Sequence, residues 1–256
     1  MDVTTEQNHA PTGVSATQGY LHSIETGAAV DGPGVRCAVF LSGCNMRCLY
    51  CHNPDTWKMK HGKPVTLQEV VSKITPYATF LKRAGGVTIS GGEPLMQKDF
   101  AVAIMKACKE KGLHTALDTQ GYFGDRLSDE DLESIDLVLL DVKLFDPVGY
   151  RQLTGVELAP TLAFAERLAR MNKPIWLRYV FVPGYTDAEK DVRNLAAWAA
   201  GLGNIERVDV LPFHQLGQHK WDELGLTYKL AAVEPPSDTA VQKAREIFLS
   251  LGLKAV

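Results

Sequence analysis

The chain has 256 residues, of which 45% are hydrophobic and 22% are charged, so it can bury the core of one large domain. Its formal net charge is -3, and the 27 basic and 30 acidic residues are interspersed, which argues against a nucleic-acid-binding surface. We find no run of about 18 apolar residues and no charged start followed by an apolar core, so we expect neither a membrane span nor secretion. These features predict a cytoplasmic protein.

The order of strand and helix patterns predicts one α/β domain. Residues 1–18 are polar and without periodicity, which predicts a disordered tail before a single domain over residues 19–256. Strands are expected at residues 35–41, 86–90, 114–119, 136–142, 174–182 and 207–213. Helical periodicity occupies residues 66–83, 99–112, 161–171, 188–201 and 237–252. About six β/α units are fewer than the eight of a closed barrel, so we predict a partial (β/α)6 TIM-like barrel, mostly parallel and open on one side.

Polar and glycine residues mark the ends of all six predicted strands. SGC, SGGEP, DTQG and DVK follow the first four strands, RY lies in the fifth, and PFH ends the sixth. A β/α barrel carries its chemistry at the carboxyl ends of its strands. The sequence therefore predicts an active site built from these six positions.

Five cysteines occur, and in a reducing cytoplasm they should not form a disulfide framework. Cys37 lies in an apolar strand and Cys108 in a helical pattern, where a buried thiol acts as a small hydrophobic side chain. Cys44, Cys48 and Cys51 instead lie within eight positions of one another in one loop. Three thiols can face a single inorganic centre there, which leaves the set one ligand short of a closed site.

Several kinds of site are compatible with this triplet. A structural zinc ion could recruit His52 or another histidine, although adjacent ligands at positions 51 and 52 are hard to aim at one ion. A ferredoxin-like electron carrier and a chance spacing are further alternatives. The interpretation we favour is a cubane iron-sulfur cluster with three thiolate-bound irons and one iron left open for a small molecule.

The pattern CNMRCLYC, spaced C-x3-C-x2-C with an aromatic residue before the last cysteine, resembles the radical S-adenosylmethionine (SAM) superfamily. The resemblance implies a [4Fe-4S] cluster on Cys44, Cys48 and Cys51, with the amino and carboxylate groups of SAM on the fourth iron. It also implies that an electron from the cluster breaks a sulfonium bond and that a 5'-deoxyadenosyl radical takes a hydrogen from substrate. Tyr50 and His52, beside Cys51, would then contact SAM.

The run TISGGEP is the second element of the resemblance. Taken alone, it is a turn that follows a strand. About 40 residues after the triplet, it resembles the glycine-rich motif whose backbone meets the amino group of SAM. Gly91 and Gly92 allow that close approach, and Glu93 is expected to place negative charge near the ammonium group.

The run DVK supplies the third element. Asp141 and Lys143 are two apart on a strand, so both side chains can project into the barrel mouth, with a buried structural ion pair as the alternative. By resemblance Asp141 contacts the ribose or amino group of SAM, Lys143 contacts the carboxylate or a nearby acid, and Val142 belongs to the same binding set.

Three further strand ends complete the predicted site. By resemblance, Arg178 could meet the SAM carboxylate as a bidentate partner, and His214 could lie against the adenine. Asp118 ends the strand beside Asp141, and two facing carboxylates need a cation or a shared proton. A bound monovalent cation at Asp118 and Asp141 would meet that need.

The run DGPGVR, from Asp31 to Arg36, resembles the glycyl-radical enzyme activases when read with YCHNPDTW, DTQGY, RYVFVPGYTD and LPFHQLGQHKWDELGLTYKL. The long last run is closest to members acting on pyruvate formate-lyase, and five cysteines leave too few for the ferredoxin-like insert of other activases. The resemblance implies a protein substrate whose glycine loop enters the open barrel and touches Asp31. The glycines of DGPG could equally serve only a tight turn.

The same resemblance implies a one-electron donor such as flavodoxin or ferredoxin, and we expect a monomer. Two other functional classes remain open at this stage. A radical SAM enzyme acting on a small molecule, such as a deazapurine synthase, would share the triplet. A non-catalytic metal-binding module would need only the cysteines.

Overall fold

The computed structural model describes residues 15–256, and within them eight strands form one sheet in the order β3-β1-β2-β4-β5-β6-β7-β8. The strands are β1 (Gln18–Ala28), β2 (Val35–Leu41), β3 (Lys63–Thr66), β4 (Gly85–Gly91), β5 (Thr115–Thr119), β6 (Leu137–Asp141), β7 (Ile175–Phe181) and β8 (Ile205–Pro212). Strands β2 and β4 to β8 run parallel, and β1 and β3 pair antiparallel at one end. The predicted partial barrel, open and mostly parallel, is confirmed.

Helices follow most of the parallel strands. Within the described chain they are α1 (Leu67–Ile74), α2 (Ala78–Ala84), α3 (Lys98–Glu110), α4 (Asp129–Glu133), α5 (Pro147–Thr154), α6 (Ala159–Arg170), α7 (Glu189–Leu202), α8 (Gln218–Glu223) and α9 (Asp238–Ser250). The single helix expected over residues 66–83 is divided, because Pro76 lies in a 3-10 turn and has no N–H to donate. No helix of this part of the chain is long and apolar enough to cross a membrane.

The start of the domain differs from the prediction. Residues 1–14 of the expected tail lie outside the described residues, and residues 15–18 form a turn that leads into β1. The Leu67 N–H donates to the Thr17 carbonyl at 2.9 Å, which joins this turn to α1. The predicted boundary at residue 19 is therefore too late, and the antiparallel strands β1 and β3 add an edge that the sequence analysis did not predict.

The hydrophobic core lies between the sheet and its helices. Strand β6 is buried from Leu137 to Leu140, as expected for a parallel strand covered on both faces. Cys37 and Cys108 are also buried there, and burial raises the pKa of Cys37 to about 11 and that of Cys108 to about 12. Both thiols are neutral core side chains, as predicted.

A buried arginine joins the turn before β2 to strand β4. The Arg36 side chain is fully buried, and it donates to the Val87 carbonyl at 2.7 Å, to the Thr88 hydroxyl at 2.6 Å and to the Gly85 carbonyl. The Thr88 hydroxyl donates in turn to the Asp31 carbonyl at 2.6 Å. Burial lowers the pKa of Arg36 to about 10, so the guanidinium stays charged and fixes the backbone that carries Asp31.

We expect Arg36→Met to lower the free energy of unfolding by about 3 kcal/mol, because buried carbonyls lose their charged donor. Urea unfolding of the purified protein measures this loss. Arg193→Met, on the exposed side of α7, is the matched control and should change the free energy by less than about 0.5 kcal/mol. Equal effects of the two substitutions would contradict the role given to Arg36.

Candidate active site

A cavity of about 540 Å³ lies at the carboxyl ends of the parallel strands and collects nearly all of the predicted site residues. Those that line it are Asp31, Cys44, Cys48, Tyr50, Cys51, His52, Gly91, Gly92, Asp118, Asp141, Lys143, Arg178 and His214. Only Glu93 and Val142 of the predicted set are missing from the lining. Residues far apart in sequence therefore form one site, as the six polar strand ends predicted.

The loop that carries the three cysteines lacks regular structure from Ser42 to Asn53 and is held by backbone hydrogen bonds to α5. The Arg47 N–H donates to the Thr154 carbonyl at 2.8 Å, and the Leu49 N–H donates to the Leu153 carbonyl at 3.0 Å. The last carbonyls of a helix have no partner inside the helix, so α5 can offer them to this loop.

The three thiols share a buried environment. Burial raises the pKa of Cys44, with a further rise from the nearby Cys48 and Cys51, and it raises the pKa of Cys48 to about 12. Lys143 opposes the rise at Cys48. Three adjacent thiols of this kind suit a cluster whose irons supply the positive charge that a thiolate needs. Within the described chain, no group of three His, Cys, Asp or Glu side chains is spaced for a single metal ion.

Helix α8 also holds the cysteine loop by hydrogen bonds. The Trp221 indole N–H donates to the Cys51 carbonyl at 2.8 Å, and the Lys220 ammonium donates to the Asn53 side-chain oxygen at 2.8 Å. A side chain at Gly217 would lie 2.6 Å from the His52 Cα, so only glycine permits this approach. The HKW run thus packs directly against the cysteine loop.

The two histidines of the site lie against each other. His52 and His214 stack with their ring centroids 4.1 Å apart, and His52 Nε2 is 3.0 Å from the His214 carbonyl oxygen. Burial lowers the pKa of His52, which favours the neutral ring. The His52 ring is thereby held against His214 in the wall of the cavity.

The glycines of GGEP bring backbone close to the cysteine loop. A Cβ at Gly91 would lie 2.1 Å from the Leu41 carbonyl oxygen, and one at Gly92 would lie 3.1 Å from the Cys44 Cβ. Gly91 also has a φ of +128°, which side chains disfavour. Both glycines therefore let the end of β4 pack closely against β2 and the cysteine loop, and both line the cavity beside Cys44.

Glu93 is one of two predicted residues outside the lining, and the negative charge expected from it near the ammonium group of SAM stays a prediction. Its carboxylate is buried and accepts hydrogen bonds from the Thr119 hydroxyl at 2.8 Å, the Gln120 N–H at 3.0 Å and the Leu95 N–H at 2.9 Å. Burial raises the pKa of Glu93 to about 7, against the effect of these donors. Glu93 therefore joins the GGEP turn to the DTQG turn.

Val142 is the second predicted residue outside the lining. Its side chain is fully buried in the core, whereas Asp141 and Lys143 on either side of it face the cavity. Successive side chains in extended backbone point in opposite directions, so the Val142 side chain does not reach the cavity, and its place in the SAM-binding set stays a prediction.

Two acid-base pairs line the cavity. Lys143 Nζ lies 2.7 Å from Asp141 Oδ2, and Arg178 Nη1 lies 3.1 Å from Asp118 Oδ2. Burial lowers the pKa of Lys143, but Asp141 and Cys48 outweigh burial and raise it above the ordinary value. Asp118 raises the pKa of Arg178. Each carboxylate thus has a basic partner, and the monovalent cation expected at Asp118 and Asp141 stays a prediction.

Buried polar atoms around the cavity leave hydrogen-bonding capacity for a ligand. Among the described residues, the Tyr50 hydroxyl, Asp118 Oδ1 and Arg178 Nε are buried without a partner, and all three residues line the cavity. Buried polar atoms in folded proteins normally have partners. One acceptor and two donor groups suit the ammonium, carboxylate and hydroxyl groups of SAM, so the residues present fit this cofactor.

Asp31 reaches the cavity from the turn before β2. Burial raises its pKa, as does the negative charge of Asp118, while Arg178 and Arg36 lower it. These influences place its carboxylate near the pair formed by Asp118 and Arg178. Asp31 therefore lines the same cavity as the cysteines although it comes before them in the chain.

Ser90, Gln120 and Trp57 are among the cavity-lining residues that the sequence analysis missed. Ser90 donates to Asp118 Oδ2 at 2.7 Å, and Gln120 donates to the Asn45 side-chain oxygen at 2.8 Å. The Trp57 carbonyl accepts from the Cys44 N–H at 3.1 Å. Gln120 lies in DTQG and Ser90 in TISGGEP, so both motifs contained a signal, whereas nothing near Trp57 indicated contact with a cysteine.

The fold and the three-thiol cavity define the class of radical SAM proteins. A model of a 4Fe-4S single cluster domain matches residues 30–150. The fold is similar to that of a radical SAM methyltransferase from Sphaerobacter thermophilus, with a TM-score of 0.64 and 18% identity over 86% of this chain and 65% of that one. The centre is therefore a [4Fe-4S] cluster that works with SAM.

More similar relatives identify the family. The chain is 45% identical over 235 residues to a pyruvate formate-lyase-activating enzyme of Staphylococcus epidermidis, covering 89% of this chain and 94% of the relative. It is 42% identical over 241 residues to the pyruvate formate-lyase 1-activating enzyme of Escherichia coli, covering 93% and 98%. A solved domain of such an enzyme from Bacteroides vulgatus is 26% identical, with a TM-score of 0.56 over 68% of this chain and 98% of that domain. The chain belongs to the pyruvate formate-lyase-activating enzyme family.

Substitution of single cysteines tests the ligand set. We expect Cys44→Ala, Cys48→Ala or Cys51→Ala to abolish the cluster and SAM cleavage, because each removes one of three thiolates. Iron and sulfide content after anaerobic reconstitution measures this directly. Cys37→Ala and Cys108→Ala are the controls and should retain both, so cluster loss in either would mean that the ligands were assigned wrongly.

Proposed function

We propose that the chain activates pyruvate formate-lyase by making a radical on one of its glycines. When bound, the [4Fe-4S] cluster and SAM supply the chemistry: one electron cleaves SAM to methionine and a 5'-deoxyadenosyl radical, which takes one hydrogen atom from the glycine Cα. The observation that carries the proposal is the single cavity in which the three thiols, two acid-base pairs and Asp31 meet. The relatives named above supply the identity of the protein substrate.

The residues of the cavity have separate tasks in this proposal. Cys44, Cys48 and Cys51 bind three irons of the cluster. The backbone at Gly91 and Gly92 receives the amino group of SAM, because both glycines line the cavity beside Cys44. These groups orient the cofactor beside the thiols.

The basic residues bind the negative end of SAM. Arg178 Nε is buried without a partner in the described chain, and Lys143 stays charged beside Asp141, so both favour a carboxylate. His214, held against His52, borders the adenine. Most residues of the cavity wall are buried or partly buried, which limits access of water to a reactive radical.

Asp31 faces the protein substrate. It lies in a turn fixed by Arg36 and Thr88, so its carboxylate is positioned before the substrate arrives. A carboxylate can accept hydrogen bonds from the backbone N–H groups of an incoming glycine loop. We also propose that the protein acts as a cytoplasmic monomer and takes its electron from flavodoxin or ferredoxin.

The test is an anaerobic assay of the reconstituted and reduced protein with SAM. We expect 5'-deoxyadenosine and an electron paramagnetic resonance signal of a glycyl radical when pyruvate formate-lyase is present. A lyase with alanine in place of the target glycine is the control and should give no such signal. Zinc in the purified protein without SAM cleavage, or cleavage that needs a small molecule and leaves the lyase unchanged, would overturn the proposal.

Asp31→Asn tests the role given to the substrate-facing carboxylate. We expect the rate of glycyl radical formation to fall by about tenfold or more, because the substrate loop loses its charged hydrogen-bond acceptor. Cleavage of SAM without the lyase should continue, because the Asp31 carboxylate contacts the substrate and not SAM. Glu25→Gln removes an exposed carboxylate near Asp31 and should leave both rates unchanged. A parallel loss of both rates in Asp31→Asn would assign Asp31 to the cofactor site.

A further inference from the structure

A run of exposed basic residues lies in the segment that contains the cysteine loop and Trp57. We call it the basic face, and it consists of Arg47, Trp57, Lys58, Lys60, His61 and Lys63. Residues 44–63 contain four Lys or Arg residues and one acid, although the whole chain has a net charge of -3. Arg47, Lys58, Lys60, His61 and Lys63 are exposed.

The positive charge of this face is not neutralised by the fold. The one acid of the segment, Asp55, accepts from Lys220 at 3.1 Å and from His22 at 2.8 Å, so it is already paired. Within residues 15–256, Arg47, Lys58, Lys60 and Lys63 form no salt bridge. Clustered charges of one sign attract a partner of the opposite sign and speed its association.

Trp57 connects this face to a cluster ligand. Its side chain lines the same cavity as Cys51, and its carbonyl accepts from the Cys44 N–H at 3.1 Å. The ring is partly exposed, and the Arg47 guanidinium lies 4.9 Å from its centroid. Arg47 in turn donates to the Cys44 carbonyl at 2.7 Å. Trp57 therefore borders both this surface and the cavity that contains the cluster ligands.

We propose that the basic face is the docking surface for the electron donor, a small acidic protein with a one-electron redox centre, and that Trp57 is the positioning residue that couples this surface to Cys51. The inference rests on the proposed function, because reductive cleavage of SAM consumes one electron that enters from outside the chain. The donor gives up that electron and is thereby oxidised.

The test compares two reductants in the same variants. Lys58→Glu with Lys60→Glu reverses two charges of the face, and we expect SAM cleavage driven by reduced flavodoxin at low salt to fall by about tenfold or more. Cleavage driven by dithionite should be unchanged, because this small reductant does not need a docking surface. In the unsubstituted protein, added salt should slow only the flavodoxin reaction.

A matched variant controls for net charge. Lys190→Glu with Lys243→Glu makes the same change on the exposed sides of α7 and α9 and should keep the full rate with both reductants. An equal loss in this control, no loss with flavodoxin in the first variant, or an equal loss with dithionite would overturn the docking proposal. A raised KM for pyruvate formate-lyase with dithionite as reductant would also overturn it, since the face would then belong to the substrate.

Two measurements separate this proposal from the proposed function. Calorimetric binding of oxidised flavodoxin to the holoprotein should weaken in the first variant and not in the control, whether or not SAM is cleaved. Trp57→Phe replaces the indole, which lines the same cavity as Cys51, with a smaller phenyl ring that has no N–H, so the cluster potential in a redox titration should shift. An unchanged potential would remove Trp57 from the proposal.

Discussion

The hydrogen bonds that hold the irregular cysteine loop are the constraint on which the rest of the site depends. Backbone outside helices and strands must find other partners when it is buried. Here the partners come from the end of α5, from Trp57 and from the Trp221 indole of α8. Because these elements meet only in the folded chain, the three thiols face one cavity only after the barrel has assembled.

Balanced charge is the second condition for the cavity. A single buried charge is costly, whereas a charge with a partner and hydrogen bonds is tolerated. Parallel pairing sets Asp141 opposite Arg178 on β6 and β7, and Asp118 lies on the neighbouring β5. The site thus holds two acid-base pairs and a third carboxylate, that of Asp31, and it keeps polar atoms on Tyr50 and Arg178 that can bind a zwitterionic ligand.

The parallel strands and most of the cavity lining could be predicted from the sequence, because apolar runs ended by polar motifs have a clear pattern. Strand β1 could not, since its side chains are mostly only partly buried and show no strict alternation. The direction of Glu93, the buried guanidinium of Arg36 and the contact of Trp221 with Cys51 depend on partners distant in the sequence. Trp221 and Cys51 are 170 positions apart, and no local pattern reports such a contact.

Transfer of deuterium from the protein substrate tests the central claim most directly. Pyruvate formate-lyase labelled with deuterium at glycine Cα is incubated with the reduced protein and SAM, and the 5'-deoxyadenosine is analysed by mass spectrometry. If the cavity directs its radical to a glycine of the lyase, the nucleoside gains one deuterium as the glycyl radical appears. Unlabelled 5'-deoxyadenosine formed together with a glycyl radical would contradict direct abstraction from this site.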